Sequence, residues 1–109
     1  MVEENELVEG QCYFLILYHD KDLRIPDIRT MIFIGKNIDQ DEKSKKDLWF
    51  FQDPESYLKY GASIRKPRKS GCEVSRFDEN SLFSIYDWSG MINELTQNKE
   101  AQDKGEIFD

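Results

Sequence analysis

The stretch DLWFFQDPESYLKYG, residues 47–61, decides how this chain folds. Leu48-Trp49-Phe50-Phe51 is an apolar run rich in residues that favour strands. Asp53-Pro54-Glu55 then reads as a helix start. Asp53 is the N-cap, Pro54 takes the first helical position, where no amide is missed, and Glu55 places an acid in the first turn. Tyr57, Leu58 and Tyr60 continue the helix, and Gly61 stops it. A central strand feeding a short capped helix is thus set locally, and the rest of the chain must supply a sheet around Trp49.

Toward the N-terminus, Ile28 to Lys36 predicts a strand. Ile28, Thr30, Ile32 and Ile34 lie on one face and Arg29, Met31 and Phe33 on the other, with Gly35 as its end or a bulge. Gln11 to His19 predicts another strand, apolar on both faces: Cys12, Phe14, Ile16 and Tyr18 against Tyr13, Leu15 and Leu17. Loss of two-residue alternation predicts a strand covered on both sides. The link between these strands is a polar turn, Asp20-Lys21-Asp22, followed by Leu23 to Asp27, where Pro26 biases Ile25 to an extended shape. So short a link predicts an antiparallel pair. The Ile32–Ile34 strand is a candidate edge able to accept a partner strand. Residues 37–46 are almost wholly polar and read as a solvated loop.

Toward the C-terminus, residues 62–76 carry a net charge of +4, from five basic residues and one acid, in a chain whose total is −7. Cys72 to Phe77 predicts a strand, Asp78-Glu79-Asn80 a turn, and Ser81 to Tyr86 a fifth strand. Asp87 or Ser89 then caps a last helix running to about Gln102, with Met91, Ile92 and Leu95 as a narrow apolar stripe. A single helix over Leu82 to Leu95 competes with this reading, but Gly90 costs it about 1 kcal/mol against alanine. The expectation is one domain, residues 1–109, with an acidic lead-in (1–9) and an acidic tail (103–109) that are mobile. The fold class is α+β: about five mainly antiparallel strands, as a twisted sheet or small half-open barrel, with one short helix after the Trp49 strand and a C-terminal helix.

Composition narrows the function. Aromatic residues make up 13% of the chain, enough for a core without metal or disulfide. The acidity argues against a general nucleic-acid binder, which needs excess Lys and Arg, and points weakly to a basic partner. Cys12 and Cys72 are the only cysteines and read as two buried small hydrophobes, with a disulfide between them as the alternative. An acidic N-terminus lacks the basic region of a signal peptide, and Cys12 to Tyr18 is far shorter than the ~20 apolar residues of a membrane span. These features predict a cytoplasmic protein with no membrane association.

Candidate sites are few. His19 is the only histidine, beside Asp20 and Asp22, but no second histidine or C-x-x-C spacing supports a metal or catalytic cluster. Asp39-Gln40-Asp41-Glu42 lacks the glycine and closing glutamate of a calcium loop. No G-x-S-x-G, P-loop or G-x-G-x-x-G is present. The expectation is therefore no enzyme, no cofactor and no metal. Arg65, Lys66, Arg68 and Lys69 form a candidate anion-binding segment, with Tyr57 and Tyr60 nearby for stacking. Trp49 reads as core and Trp88 as a partly exposed interface anchor, with Tyr18, Tyr57, Tyr60 and Tyr86 as a possible aromatic patch.

The leading functional expectation is a small acidic protein-binding module of the immunity or antitoxin kind. It would neutralise a basic toxin, such as a nuclease domain, by occluding its active site. The candidate contacts are Asp20, Asp22, Asp39, Asp41 and Glu42, with Trp88 as anchor. The alternatives are an inhibitor or regulator of another protein, a small enzyme or ligand-binding barrel built on His19, and an RNA-binding accessory protein using Arg65 to Arg76.

Overall fold

The computed structural model describes residues 6–38, 46–64 and 69–103. Its five strands are β1 (Cys12–Tyr18), β2 (Pro26–Lys36), β3 (Trp49–Gln52), β4 (Val74–Phe77) and β5 (Ile85–Tyr86). They form one open sheet in the order β4-β3-β2-β1-β5, each neighbour antiparallel. Helix α1 (Pro54–Tyr60) follows β3, a 3-10 helix (Glu79–Ser84) precedes β5, and helix α2 (Trp88–Asp103) closes the chain. The fold is α+β, and the sheet stays open rather than curling into a barrel.

The run around Trp49 is the best-buried strand, with all four residues of β3 inaccessible. Alternation sends Trp49 and Phe51 to one face, where they cluster with Tyr13, Met31, Phe33, Leu82 and Ile85. The Phe51 ring meets Tyr13, Phe33 and Phe77 at centroid distances of 6.2, 5.3 and 5.4 Å. Phe50 points to the opposite face and is fully buried. Gly35 marks a bulge, where the β2–β3 register slips between Phe33 and Gly35. Its φ of 144° and the nearness of Ile38 leave no room for a side chain.

The expected start of α1 is present. Asp53 Oδ2 accepts from the Ser56 amide at 2.9 Å, Pro54 opens the helix, and Gly61 at φ 77° ends it. β1 and β2 pair along the whole length of β1.

Four expectations need correction. The fifth strand is only Ile85–Tyr86, because Asp78 accepts from both the amide and the hydroxyl of Ser81 and winds residues 79–84 into the 3-10 helix. That helix turns Leu82 into the core and leaves Phe83 62% exposed. β2, which holds Ile32 and Ile34, is interior to the sheet; the edges are β4 and β5. Cys72 lies ahead of β4 rather than within it, and both cysteines are unpaired but only half-buried. The apolar stripe of α2 is incomplete, with Ile92 58% exposed and no residue of the helix fully buried. The extended pair Ile85–Tyr86 separates the 3-10 helix from α2, which favours strand-then-helix over a single helix. Asp87 caps α2 by accepting from the Gly90 amide at 2.7 Å.

Candidate functional site

Many of the acidic residues are committed to holding the backbone. Asp20 Oδ1 accepts from the Arg24 and Ile25 amides, both at 2.9 Å, and so closes the β1–β2 link. Desolvation acts to raise its pKa, but those amides, its own amide and the Arg24 charge prevail and lower it. Asp20 is therefore a loop-closing residue, with its Oδ2 3.8 Å from Arg24 Nε. Asp22, by contrast, is exposed with no hydrogen bond or ion pair among the described residues. Asp39, Asp41 and Glu42 lie outside the described residues, as do Arg65, Lys66 and Arg68.

His19 is exposed, with its Nε2 3.7 Å from the Asp27 carboxylate. No group of three or more His, Cys, Asp or Glu that could hold a metal occurs among the described residues. Tyr18, Tyr57, Tyr60 and Tyr86 form two separate pairs rather than one patch, while Tyr13 is buried in the core. Tyr18 and Tyr86 lie at the foot of α2, where the Tyr18 hydroxyl donates to Glu94 at 2.9 Å. Desolvation, that hydrogen bond and the Glu94 charge push the Tyr18 pKa up to about 12. Tyr57 and Tyr60 belong to α1, on which the Lys59 and Lys69 ammonium groups approach the Tyr60 ring.

The surface best suited to a partner lies along the 3-10 helix and the start of α2. Trp88 is 60% exposed even though one edge of its ring packs on the buried Phe14, at a centroid distance of 4.7 Å. Ile92 is one helical turn further on, and Phe83 protrudes from the 3-10 helix. From Asp78 to Asn98 the chain has four acids, Asp78, Glu79, Asp87 and Glu94, and no lysine or arginine. Large apolar side chains are thus exposed in a stretch of sequence whose own charges are all acidic, with Lys46 from the β2–β3 connection standing near Asp78 and Glu79.

The sequence signals the exposure of Trp88 but not that of Phe83 and Ile92, because Phe83 fits a strand pattern and Ile92 the narrow apolar stripe of α2. The Asp78-x-x-Ser81 spacing was the available signal, since an Asp three residues before a Ser is a local cap.

No helix among the described residues is long and apolar enough to cross a membrane. No protein-family model matches the chain, and neither a curated protein nor a solved structure gives a significant match.

Proposed function

We propose that this chain is a small acidic protein-binding module of the immunity or antitoxin kind. Acting in the cytoplasm, it neutralises a basic toxin, such as a nuclease domain, by covering the toxin's active site. The observation that supports this reading is the exposed Trp88, with Phe83 and Ile92 also exposed within the Asp78–Asn98 stretch, whose own charges are all carboxylates. A nuclease presents Lys and Arg to bind phosphate, and those same groups attract a surface of this charge. Trp88 and Phe83 supply the large apolar contacts that concentrate binding energy at interface centres. Asp22, at the tip of the β1–β2 hairpin, is a further available carboxylate.

The test is an affinity pulldown from native cells, repeated at low and physiological salt, with wild type and Trp88→Ala side by side. We expect one basic protein that wild type retains, that salt loosens, and whose nuclease activity wild type inhibits. Trp88→Ala should weaken this binding by at least about 2 kcal/mol, the threshold for an interface hot spot. A basic partner held equally by both forms, or one whose activity is untouched, overturns the proposal.

A further inference from the structure

Two lysines from separate segments converge on one tyrosine. Lys59 Nζ, near the end of α1, lies 5.2 Å from the centroid of the Tyr60 ring, and Lys69 Nζ lies 4.5 Å from the same centroid. The ring is 40% exposed. Beside it is an open cleft of about 210 Å³, lined by Glu55, Ser56, Lys59, Tyr60, Ser70 and Gly71.

The cleft has ordered walls. The Ser56 hydroxyl accepts from Gln52 Nε2 at 2.9 Å and donates to the Asp53 carboxylate, which fixes the α1 side. On the other side the Cys72 amide donates to the Lys69 carbonyl at 3.2 Å, closing a turn that Gly71 completes at φ 88°.

Neither lysine is ion-paired among the described residues, although the chain carries far more acids than bases. Each ammonium lies near the Tyr60 ring, so two positive charges stand around it, and the ring's π-electrons offset them only in part. An anion held beside the ring is attracted by both. A phosphate group suits the charge, because a monoester carries about −1.5 to −2 at neutral pH and lysine meets phosphate as a point charge.

We propose that the cleft beside Tyr60, lined by Lys59 and neighboured by Lys69, binds a phosphate group, as free phosphate or as a phosphate monoester. The site is separate from the Trp88 surface and does not depend on the protein-binding reading. Glu55 stands on the same cleft and opposes the ligand's charge, which keeps affinity modest and supplies a control of opposite sign.

The test is a titration of the full-length ¹⁵N-labelled chain, first with inorganic phosphate and then with a nucleoside monophosphate, at constant ionic strength. We expect saturable shifts of the Lys59, Tyr60, Ser70 and Gly71 amides while those of Tyr18 and Glu94 stay still. Lys59→Gln and Lys69→Gln should each weaken binding about fivefold, the effect of one ion pair at solvent dielectric, and Glu55→Gln should tighten it about as much. All three sites are exposed, so the core amides report that the variants remain folded. Tighter binding of the monophosphate identifies an ester as the ligand, and equal binding identifies phosphate itself. Shifts that never saturate, or affinities unchanged in both lysine variants, overturn the proposal.

Discussion

The two helices of this chain meet the sheet in opposite ways. Helix α1 is only seven residues long, yet it is tied to the sheet through a buried polar hub. Gln52, fully buried, donates to Ser56 Oγ at 2.9 Å and to the Gly61 carbonyl at 3.1 Å, and accepts from the Ser63 amide at 2.7 Å. Asp53 grips the first turn of α1 and also accepts from the Glu73 amide at 2.8 Å, which joins α1 to the approach to β4. Helix α2 has sixteen residues and buries none of them. Its ties include the Trp88–Phe14 ring contact, the Tyr18–Glu94 bond and a 2.8 Å bond from Asn98 to the Leu23 carbonyl, with Met91 and Leu95 half-buried. Helix length therefore does not set how firmly a helix is held. The short helix is integral to the fold, whereas the long one rests on replaceable contacts and keeps its surface available.

The sharpest way to break this comparison is at Gln52. Gln52→Leu fills much the same volume but withdraws both the donor and the acceptor from the hub. The Gly61 carbonyl and the Ser56 hydroxyl then lose their buried partner. We expect a loss of about 3 kcal/mol, because orphaned buried polar groups cost about 1–3 kcal/mol each. Denaturant unfolding measures it, and a loss below about 0.5 kcal/mol would mean that the hub is incidental.

Asp53→Ala should cost less, about 2 kcal/mol, for the lost cap and the lost bond to Glu73. Its pH dependence carries a sign. Desolvation acts to raise the Asp53 carboxyl, but the Ser56 hydroxyl and the Glu73 and Ser56 amides outweigh it and lower the pKa. The stabilisation is present above the ordinary carboxylate value near 4 and is lost as pH falls through the lower folded value. Wild type and variant should therefore differ most at neutral pH and converge in acid. A gap that persists undiminished through the acid range would remove the carboxylate from the explanation.

The same contrast explains what could be read from the sequence. The α1 region was legible because its signals are local: an apolar strand, an Asp-Pro-Glu start and a Gly stop lie within fifteen residues. The β1–β2 pair was legible for a similar reason, a short polar link between two apolar runs. The Ser81–Tyr86 stretch was misread because its apolar residues fit strand and helix spacing equally. The Asp78 contacts with Ser81, not hydrophobic pattern, settle the matter. The docking of α2 was opaque because it runs through polar pairs far apart in sequence, such as Tyr18 with Glu94. Asp20 shows the same limit from the other side, since its acidity alone gave no sign of its bonds to the Arg24 and Ile25 amides. Lys59 and Lys69 meet at Tyr60 only because the 69–72 turn folds back onto α1.

The finest test of the comparison is at Tyr18, where α2 holds on most lightly. At neutral pH, Tyr18→Phe should cost about 1 kcal/mol or less, since the bond is half-exposed and screened. The alkaline range separates it from a generic surface change. Burial first, then the bond to Glu94 and the Glu94 charge, raise the folded pKa of Tyr18 to about 12, against an ordinary value near 10. The folded state thus holds the phenolic proton longer than the unfolded chain does. Its stabilisation is complete below pH 10 or so and is lost as pH rises toward 12. Denaturant unfolding between pH 9 and 11.5 or so should show wild type losing stability more steeply than Tyr18→Phe across that interval. Glu94→Gln, which keeps an acceptor but removes the charge, should fall between them. If the three slopes coincide, the Tyr18–Glu94 bond does not tie α2 to the sheet, and the helix is held by its other contacts, among them those of Trp88 and Asn98.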